Sequence, residues 1–494
     1  MPSMQDGLLA LQALRESSPA TMRRMSLCAL RCCEISCGLL AVALLFSCAS
    51  APLPSPGWET EPPEILALWS GTGVLKAGAA RVALNSPFAS PMAGYVGASC
   101  FRLRELRDPL FVRACVLEKG GRRFAFVVLD RVLIPTSFRA AVENRAEMQR
   151  AQVSGWIVAG THAHTAPGGF LEAWPAELLG MGSFDPLVFN HLVEQTARAI
   201  AEAAVNLLPV RIEEASARLP ESCASWVSYN RRDLDAPSDP ELSVLQFLAE
   251  SARISSLTSD RVVARILGFA AHPTLIPFYL RRASGDYPGV CCRTLEAPDR
   301  SVALFAVGPS ADLAAGSSGD HAPAGWERRV ERIGRRLALE TLRLGTLLVP
   351  SGTEAPFVHL MARVRLPPRV AWSVPFVGSE IASHYPEHAI LQCVRLGNVL
   401  FATFPGEMSS ELGARIQRMI LERTKARRVV FWTLADHYMG YAFTREALEK
   451  GGKSQHLSAY GFELGSLLEK HMTELAVRTW ETWQPGSQQE EEAR

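Results

Sequence analysis

The chain has 494 residues, of which 48% are apolar and 20% are charged. This length and composition are typical of a globular protein with two or three domains, or with one large domain and additional ends. The 51 Lys and Arg residues balance the 50 Asp and Glu residues, so no overall positive charge favours nucleic acid, and we expect no nucleic-acid partner.

The first fifty residues have the pattern of an export signal. Arg23, Arg24 and Arg31 precede an uncharged apolar run at 37–46, and small residues follow it. A basic segment, a short apolar run and a small-residue end are typical of a secretory signal, and the run is too short to span a bilayer. We therefore assign 1–50 to targeting and expect an exported protein.

Cys48 is a candidate site of lipid attachment. The segment Leu45-Phe46-Ser47-Cys48 resembles a bacterial lipobox, in which the Cys is acylated and becomes the mature N-terminus. Acylation predicts a cell-envelope lipoprotein at a membrane surface, and a plain cleaved signal with a secreted chain is the alternative. Residues 51–74, rich in proline at their start, are predicted to form an extended tether.

The central part of the chain, 75–483, alternates short β-branched runs with longer helical patterns. This alternation predicts one large domain of mixed α/β (α+β) class, with layered β-sheets flanked by helices. Polar segments at 233–240 and 283–288 are predicted to be surface loops. The acidic stretch 484–494 is predicted to be a frayed tail.

Five predicted strands end on polar residues that can bind a metal ion or a substrate. They lie at 155–159, 262–271, 302–307, 399–403 and 429–434. In sheets flanked by helices, ligands bind in the crevice beyond the carboxyl ends of the strands. The pattern therefore predicts one site assembled from several strand ends.

His162 and His164 follow the first of these strands, in the segment THAHTAPGGF at 161–170. Two histidines separated by one residue in extended backbone point to the same side, so both can reach one metal ion or one substrate. Gly168 and Gly169 allow a sharp turn and a close approach of a ligand to the backbone. Two polar loop histidines are the alternative interpretation.

His272 and Glu407 follow two other predicted strands. His272 lies in AHPT, and Glu407 lies in FPGE before an amphipathic helix with Ser409 or Ser410 at its N-cap. Each residue is a candidate metal ligand. A hydrogen-bonded loop histidine and a carboxylate that favours the helix dipole are the respective alternatives.

The motifs THAHTAPGGF, AHPT, SGDYPG, FPGE and HYMGYAFTRE, in this order, resemble those of the neutral, non-lysosomal ceramidase family. The resemblance extends from about Leu75 to about Gly465, and Asn230-Arg231 is similar to the family's Asn-Arg-Ser segment. It implies a zinc-dependent N-acylsphingosine amidohydrolase fold whose substrate is ceramide or a related N-acyl lipid.

The resemblance also implies roles for individual residues. It assigns the metal to His162, His272, Glu407 and Tyr441, acid/base catalysis to His164, and substrate contact with a catalytic role to Arg231. Gly168 and Gly169, which allow a ligand to approach the backbone, are predicted to bind the substrate as well. Two imidazoles, a carboxylate and a phenol suit zinc with an open position for water. Such an ion lowers the pKa of its water and polarises an amide carbonyl, and a neutral histidine can then transfer the proton.

The chain departs from the family pattern at Ala314, which takes the place of a serine essential for activity in the family. It also ends where the family usually adds an immunoglobulin-like domain, so we expect no such domain. Since metal-activated water needs no serine nucleophile, the residues still favour an active amidohydrolase. The alternative is a catalytically impaired, zinc-containing lipid-binding lipoprotein.

Overall fold

The computed structural model describes most of the chain between residues 61 and 483. Within these bounds the gaps are 86–89, 96–97, 99–100, 173–176, 178–179, 235, 237, 239, 250–260, 318–324, 352–354, 371–382 and 451–457. Among the described residues, no helix has the length and apolar character needed to cross a membrane. Cys48 and the targeting segment lie outside the described residues.

The described residues form twenty strands, nine α-helices and one 3-10 helix, Phe278–Leu280. The strands are β1 (Glu64–Gly71), β2 (Lys76–Ala83), β3 (Glu105–Leu106), β4 (Phe111–Lys119), β5 (Arg122–Leu129), β6 (Gly155–Gly160), β7 (Leu208–Arg218), β8 (Ser228–Asn230), β9 (Glu241–Ala249), β10 (Val262–Phe269), β11 (Arg282–Ala283), β12 (Val302–Val307), β13 (Leu313–Ala315), β14 (Val349–Ser351), β15 (Phe357–Arg365), β16 (His388–Leu396), β17 (Val399–Phe404), β18 (Glu407–Met408), β19 (Arg428–Thr433) and β20 (Tyr441–Ala442). The helices are α1 (Phe138–Glu143), α2 (Ala146–Ala151), α3 (Pro186–Val205), α4 (Glu221–Val227), α5 (Asp286–Asp299), α6 (Trp326–Leu344), α7 (Ser410–Arg423), α8 (Arg445–Glu449) and α9 (Glu463–Glu481).

The larger sheet has nine strands in the order β12-β10-β9-β7-β2-β4-β5-β6, with β14 paired to β7. Most neighbours are antiparallel, but β10 with β12 and β5 with β6 are parallel. The sheet folds over so that β12, at one edge, packs against β4 and β5 near the other edge. This curvature brings the carboxyl ends of β6 and β10 close together, although the two strands are far apart in the sheet order.

The smaller sheet has five strands in the order β1-β15-β16-β17-β19. It packs on the larger sheet through an apolar layer in which the ring centroid of Phe126 lies 5.1 Å from that of Phe401 and 5.2 Å from that of Trp432. An isolated bridge between Ala159 and Ala435 joins the two sheets at their edges. Burial of this layer removes apolar surface from water, which is the main force that holds the sheets together.

The structure confirms the predicted mixed α/β fold with layered sheets and flanking helices. It also confirms the strand that precedes each proposed ligand, and Ser409 caps α7 by accepting a hydrogen bond from the Leu412 backbone N–H. The five cysteines among the described residues, Cys115, Cys223, Cys291, Cys292 and Cys393, are free. The division into a tail at 484–494 and a domain at 75–483 stays a prediction.

Two local predictions are wrong. The predicted tether at 51–74 contains β1, because its prolines end at Pro63 and an apolar run follows that pairs with β15. The predicted surface loop at 283–288 is buried and includes the first turn of α5. Its polar residues point inward, where Asp286 accepts hydrogen bonds from the backbone N–H groups of Leu275, Ile276 and Tyr287.

Two buried histidines outside the candidate site make stability depend on pH. Burial lowers the pKa of His359 and of His437 to about 4, whereas an unfolded histidine titrates near about 6.5. The unfolded chain therefore binds protons first as the pH falls. The stabilising contribution is complete above the unfolded value and is lost as the pH drops towards the folded value.

We expect the free energy of unfolding to fall between pH 6.5 and 4 by roughly 1.4 kcal/mol per pH unit for each histidine. Urea unfolding at several pH values measures this slope. His359→Gln should reduce the slope by about one proton, because it removes one titrating group. The glutamine amide can still donate to Gln392, which the His359 ring contacts at 2.7 Å, so the folded structure should be kept. The same slope in both proteins would contradict this assignment.

Candidate metal centre

His162 is held in an unusual conformation where β6 ends. Its φ of 60° lies in the left-handed region, and its backbone N–H donates to the Arg131 carbonyl at 2.9 Å. Its Nδ1 lies 2.7 Å from the Val132 carbonyl oxygen. Because a carbonyl can only accept, Nδ1 carries the proton and Nε2 presents a lone pair to the centre of the site.

His272 is oriented in the same way at the end of β10. Its Nδ1 donates to the Ser310 carbonyl at 2.7 Å, so its Nε2 is also an unprotonated acceptor. The Nε2 atoms of His272 and His162 lie 3.0 Å apart, and the Nε2 of His164 lies 3.1 Å from that of His162. The three imidazoles therefore converge on one point, as predicted for two of the strand ends.

Glu407 completes the cluster from the other sheet. Its Oε2 lies 3.0 Å from the Nε2 of His272 and 3.4 Å from that of His162, and no described residue donates a hydrogen bond to this oxygen. Its Oε1 accepts a hydrogen bond from the Tyr438 hydroxyl at 2.8 Å. One carboxylate oxygen is thus positioned by tyrosine, while the other faces the imidazoles.

The protonation states follow from burial and from the neighbouring charges. Burial, with His162 and His272 nearby, holds the pKa of His164 well below its usual value, and burial with Arg231 lowers the pKa of His272 to about 3. Burial opposes ionisation of Glu407, but the adjacent imidazoles outweigh it and hold the pKa of that carboxyl low. The site therefore combines neutral His164 and His272 with an ionised Glu407 carboxylate.

This donor set fits a divalent metal ion. Two lone-pair-bearing nitrogens 3.0 Å apart repel one another unless a cation lies between them. Tetrahedral zinc with Zn–N bonds of about 2.0–2.1 Å separates two nitrogen ligands by roughly 3.3 Å, close to the separations in the cluster. An imidazole–carboxylate metal site requires a free carboxylate oxygen and histidines of fixed tautomer. The buried Glu407 Oε2, which accepts no hydrogen bond from the described residues, and the oriented rings of His162 and His272 meet both requirements.

Tyr441 lies next to Glu407, because β18 and β20 pair in parallel with these two residues in register. It is half-buried, and burial together with Glu407 raises the pKa of its hydroxyl well above the usual value. Its ring stacks on Phe443 with centroids 6.1 Å apart. Tyr441 is therefore near the cluster as a neutral phenol, and its role as a ligand stays a prediction.

Arg231 reaches the cluster from the end of β8. Its Nη2 atom lies 3.2 Å from the Nε2 of His272 and donates a hydrogen bond to the Ala311 carbonyl at 2.7 Å. Ala314 also lies at the cluster, since an isolated bridge pairs it with His272. Arg231 and Ala314 thus both lie beside His272, and the roles of these two positions stay predictions.

Gly168 and Gly169 are buried against the chain near Met181. A Cβ on Gly168 would lie 2.3 Å from the Met181 carbonyl oxygen, and Gly169 has a φ of 84°. Both positions therefore require glycine for the conformation of the loop that follows His164. Contact of these glycines with a substrate stays a prediction.

Sequence reasoning missed Tyr438 and the two backbone carbonyls of Val132 and Ser310. Tyr438 had a recognisable signal, because it lies in the same strand-end segment as Tyr441. The carbonyl partners had none, since any residue type supplies a carbonyl. Their positions depend on the loops after β5 and β12.

Residues 87–331 match the family model described as neutral/alkaline non-lysosomal ceramidase, N-terminal. These residues belong to the neutral/alkaline non-lysosomal ceramidase family. The predicted family is thereby confirmed. The matched segment contains His162, His164, Arg231 and His272 but ends before Glu407 and Tyr441, so the place of these last two in the site rests on geometry.

The ceramidase assignment agrees with individual relatives. The chain is 27% identical to a neutral ceramidase of Drosophila pseudoobscura pseudoobscura over 204 residues, which are 39% of this chain and 28% of the relative. It is 28% identical to a neutral ceramidase of Pseudomonas aeruginosa over 160 residues, 30% of this chain and 24% of the relative. The alignments thus span about a quarter of the relatives' lengths.

Solved ceramidase structures share the fold. The crystal structure of neutral ceramidase from Pseudomonas aeruginosa superposes with a TM-score of 0.68 at 20% identity, over 83% of this chain and 75% of that chain. A ceramidase complexed with C2 gives a TM-score of 0.68 at 19% identity, over 83% and 76%. At this identity the likeness establishes the ceramidase architecture, within which the imidazole cluster described above is placed.

Proposed function

We propose that this chain is a metal-dependent amidohydrolase of the ceramidase type, which cleaves the amide of ceramide or a related N-acyl lipid. The observation that carries the proposal is the convergence of three imidazole Nε2 atoms beside the Glu407 Oε2, which accepts no hydrogen bond from the described residues. Membership of the ceramidase family supports the choice of reaction.

In this proposal His162, His272 and Glu407 hold a zinc ion, with Tyr441 as a fourth ligand beside them. When bound, the ion supplies a polarised amide carbonyl and a water molecule of lowered pKa. The Val132 and Ser310 carbonyls keep the lone pairs of His162 and His272 directed inward. Arg231, whose Nη2 lies beside the Nε2 of His272, contacts the substrate in this proposal.

His164 is the acid/base in the proposal, because a buried neutral imidazole can accept a proton from water and return it to the leaving amine. The geometry also allows His164 to be a third nitrogen ligand, since its Nε2 belongs to the same group of converging atoms. His164→Ala distinguishes the two roles. Retained zinc with lost hydrolysis supports acid/base catalysis, whereas lost zinc supports ligation.

We further propose that the protein acts at a membrane surface after export, because an N-acyl lipid resides in the bilayer. Cys48 is the proposed anchor, as the sequence predicts.

Purified protein assayed on a panel of N-acyl amines, with and without a chelator, tests the reaction. We expect hydrolysis that a chelator abolishes and that added zinc restores. Chelator-sensitive hydrolysis of none of these compounds would overturn the proposal and favour the lipid-binding alternative.

Ala314→Ser should raise the rate of hydrolysis. Ala314 is buried beside His272, where a hydroxyl can donate to a developing oxyanion. One such donor is worth roughly a hundred- to a thousandfold in rate. The zinc content should stay the same. Ala315→Ser is the matched control, because the Ala315 side chain packs in an apolar cluster. Equal gains in both variants would contradict a specific role for position 314.

A further inference from the structure

Arg231 and Arg232 place two adjacent guanidinium groups at the rim of the imidazole cluster. Arg231 is exposed and approaches His272, as described above. Arg232 is half-buried, and its guanidinium carbon lies 4.1 Å from the centroid of the Phe443 ring. Phe443 also stacks on Tyr441, the neighbour of Glu407 in the paired strands, so Arg232 is connected to the cluster through these two rings.

The nearby carboxylates are occupied by other partners. Asp312 accepts hydrogen bonds from the Ser410 backbone N–H at 2.7 Å, from the Ser410 hydroxyl at 2.7 Å and from the Asn230 amide at 3.1 Å. Glu407 faces the imidazoles and Tyr438. Within the described part of the chain, neither arginine is hydrogen-bonded to a carboxylate.

The Nη1 atom of Arg232 is buried and has no hydrogen-bond partner among the residues that the structure describes. A buried donor without an acceptor is costly, and a charged donor more so, which is why native structures rarely leave one unsatisfied. The stacking on Phe443 accounts for the position of the guanidinium plane but supplies no acceptor for its N–H groups. An anionic oxygen group of a ligand would supply one.

We propose that Arg231 and Arg232 bind a carboxylate on the leaving-amine side of the substrate, so that the site accepts N-acyl amino acids. The identity of the scissile amide rests on the proposed function. In an N-acyl amino acid the carboxylate lies about 3–5 Å from the scissile carbon. Arg231, at 3.2 Å from the Nε2 of His272, is within that reach of the cluster.

The test compares N-dodecanoylglycine with N-dodecanoylglycinamide, which have the same length and differ in charge. Calorimetric titration of the chelator-treated protein, below the micellar concentrations, measures binding without metal or turnover. We expect the glycine conjugate to bind roughly ten- to a hundredfold more tightly, as for a charge-assisted hydrogen bond. Arg232→Met, which keeps the contact with Phe443, should bring the ratio close to one.

Arg335→Met is the matched control, because Arg335 is an exposed arginine on α6 that pairs with Glu331. Arg232→Lys should retain part of the preference, which separates loss of charge from misfolding. An equal affinity for the two conjugates would overturn the proposal. The proposal would also be overturned if dodecanoate bound as tightly as the glycine conjugate and its affinity depended on Arg232. The carboxylate of dodecanoate corresponds to the acyl side of the substrate and not to the leaving amine.

Turnover separates this inference from the proposed function. Hydrolysis of the two conjugates at equal kcat/KM would leave the amidohydrolase standing and overturn the carboxylate site. A calorimetric preference that depends on Arg232, with chelator-sensitive hydrolysis of neither conjugate and of no N-acyl amine in the panel, would leave the carboxylate site standing and overturn the amidohydrolase.

Discussion

Glu407→Gln is expected to remove the metal ion and to reduce hydrolysis by more than about a hundredfold, since disturbing even the outer partners of a metal site costs 10–100-fold. The amide that replaces the carboxylate has no charge to balance the cation, and its NH2 group cannot ligate the ion. Mass-spectrometric metal analysis and the hydrolysis assay measure the two losses together.

Glu411→Gln is the control for this variant, because Glu411 is an exposed carboxylate in the first turn of α7 that pairs with Arg415. It should keep both zinc and activity. Equal zinc in the Glu407→Gln and parent proteins would remove Glu407 from the ligand set. Loss of activity with full zinc would instead place Glu407 in positioning the substrate.

Arg113→Met is expected to destabilise the fold by about 3–5 kcal/mol, because it leaves the buried Asp130 carboxylate without its counter-ion and leaves Glu296 paired with Arg81 alone. Arg113 bonds Asp130 at 3.0 Å and Glu296 at 2.8 Å, and all three side chains are 1% exposed. The same Asp130 accepts a hydrogen bond from the Thr161 hydroxyl at 3.4 Å, next to His162. The ion cluster thereby supports the loop that carries the first histidine.

Urea unfolding of Arg113→Met beside Lys76→Met measures this effect. Lys76 pairs with Glu118 on the same sheet, but its side chain is 43% exposed, so its loss should cost only about 0–1 kcal/mol. The double variant Arg113→Met/Asp130→Asn should recover part of the stability, because the uncompensated charge of Asp130 is removed. Similar losses for the Arg113 and Lys76 variants would show that burial does not set the energy here.

The strand ends of the site could be predicted because each ligand follows an apolar run of strand type. The sharp bend at His162 could not, since a positive φ at a non-glycine residue depends on the Arg131 and Val132 carbonyls that hold it. The inward direction of Asp286 was equally hidden. A polar loop and a buried polar turn have the same composition, and only the backbone N–H groups that Asp286 accepts from distinguish them.

The curvature of the larger sheet was also beyond sequence reasoning. Period and propensity predict that a strand exists, but the meeting of β6 and β10 depends on side chains from several strands packing at once. The fold class follows from local patterns, whereas the identity of the residues that meet follows from long-range packing.

The division of the site between two sheets ties metal binding to folding. His162 and His272 extend from the larger sheet, and Glu407 follows β17 of the smaller one. An ion held by both acts as a cross-link between the layers, so it binds the docked state and not the separated one. Mass action then stabilises docking by about 4 kcal/mol at a thousandfold excess over Kd. A polypeptide that ends before Glu407 would carry the imidazoles without the carboxylate, and the ion would have no second layer to secure.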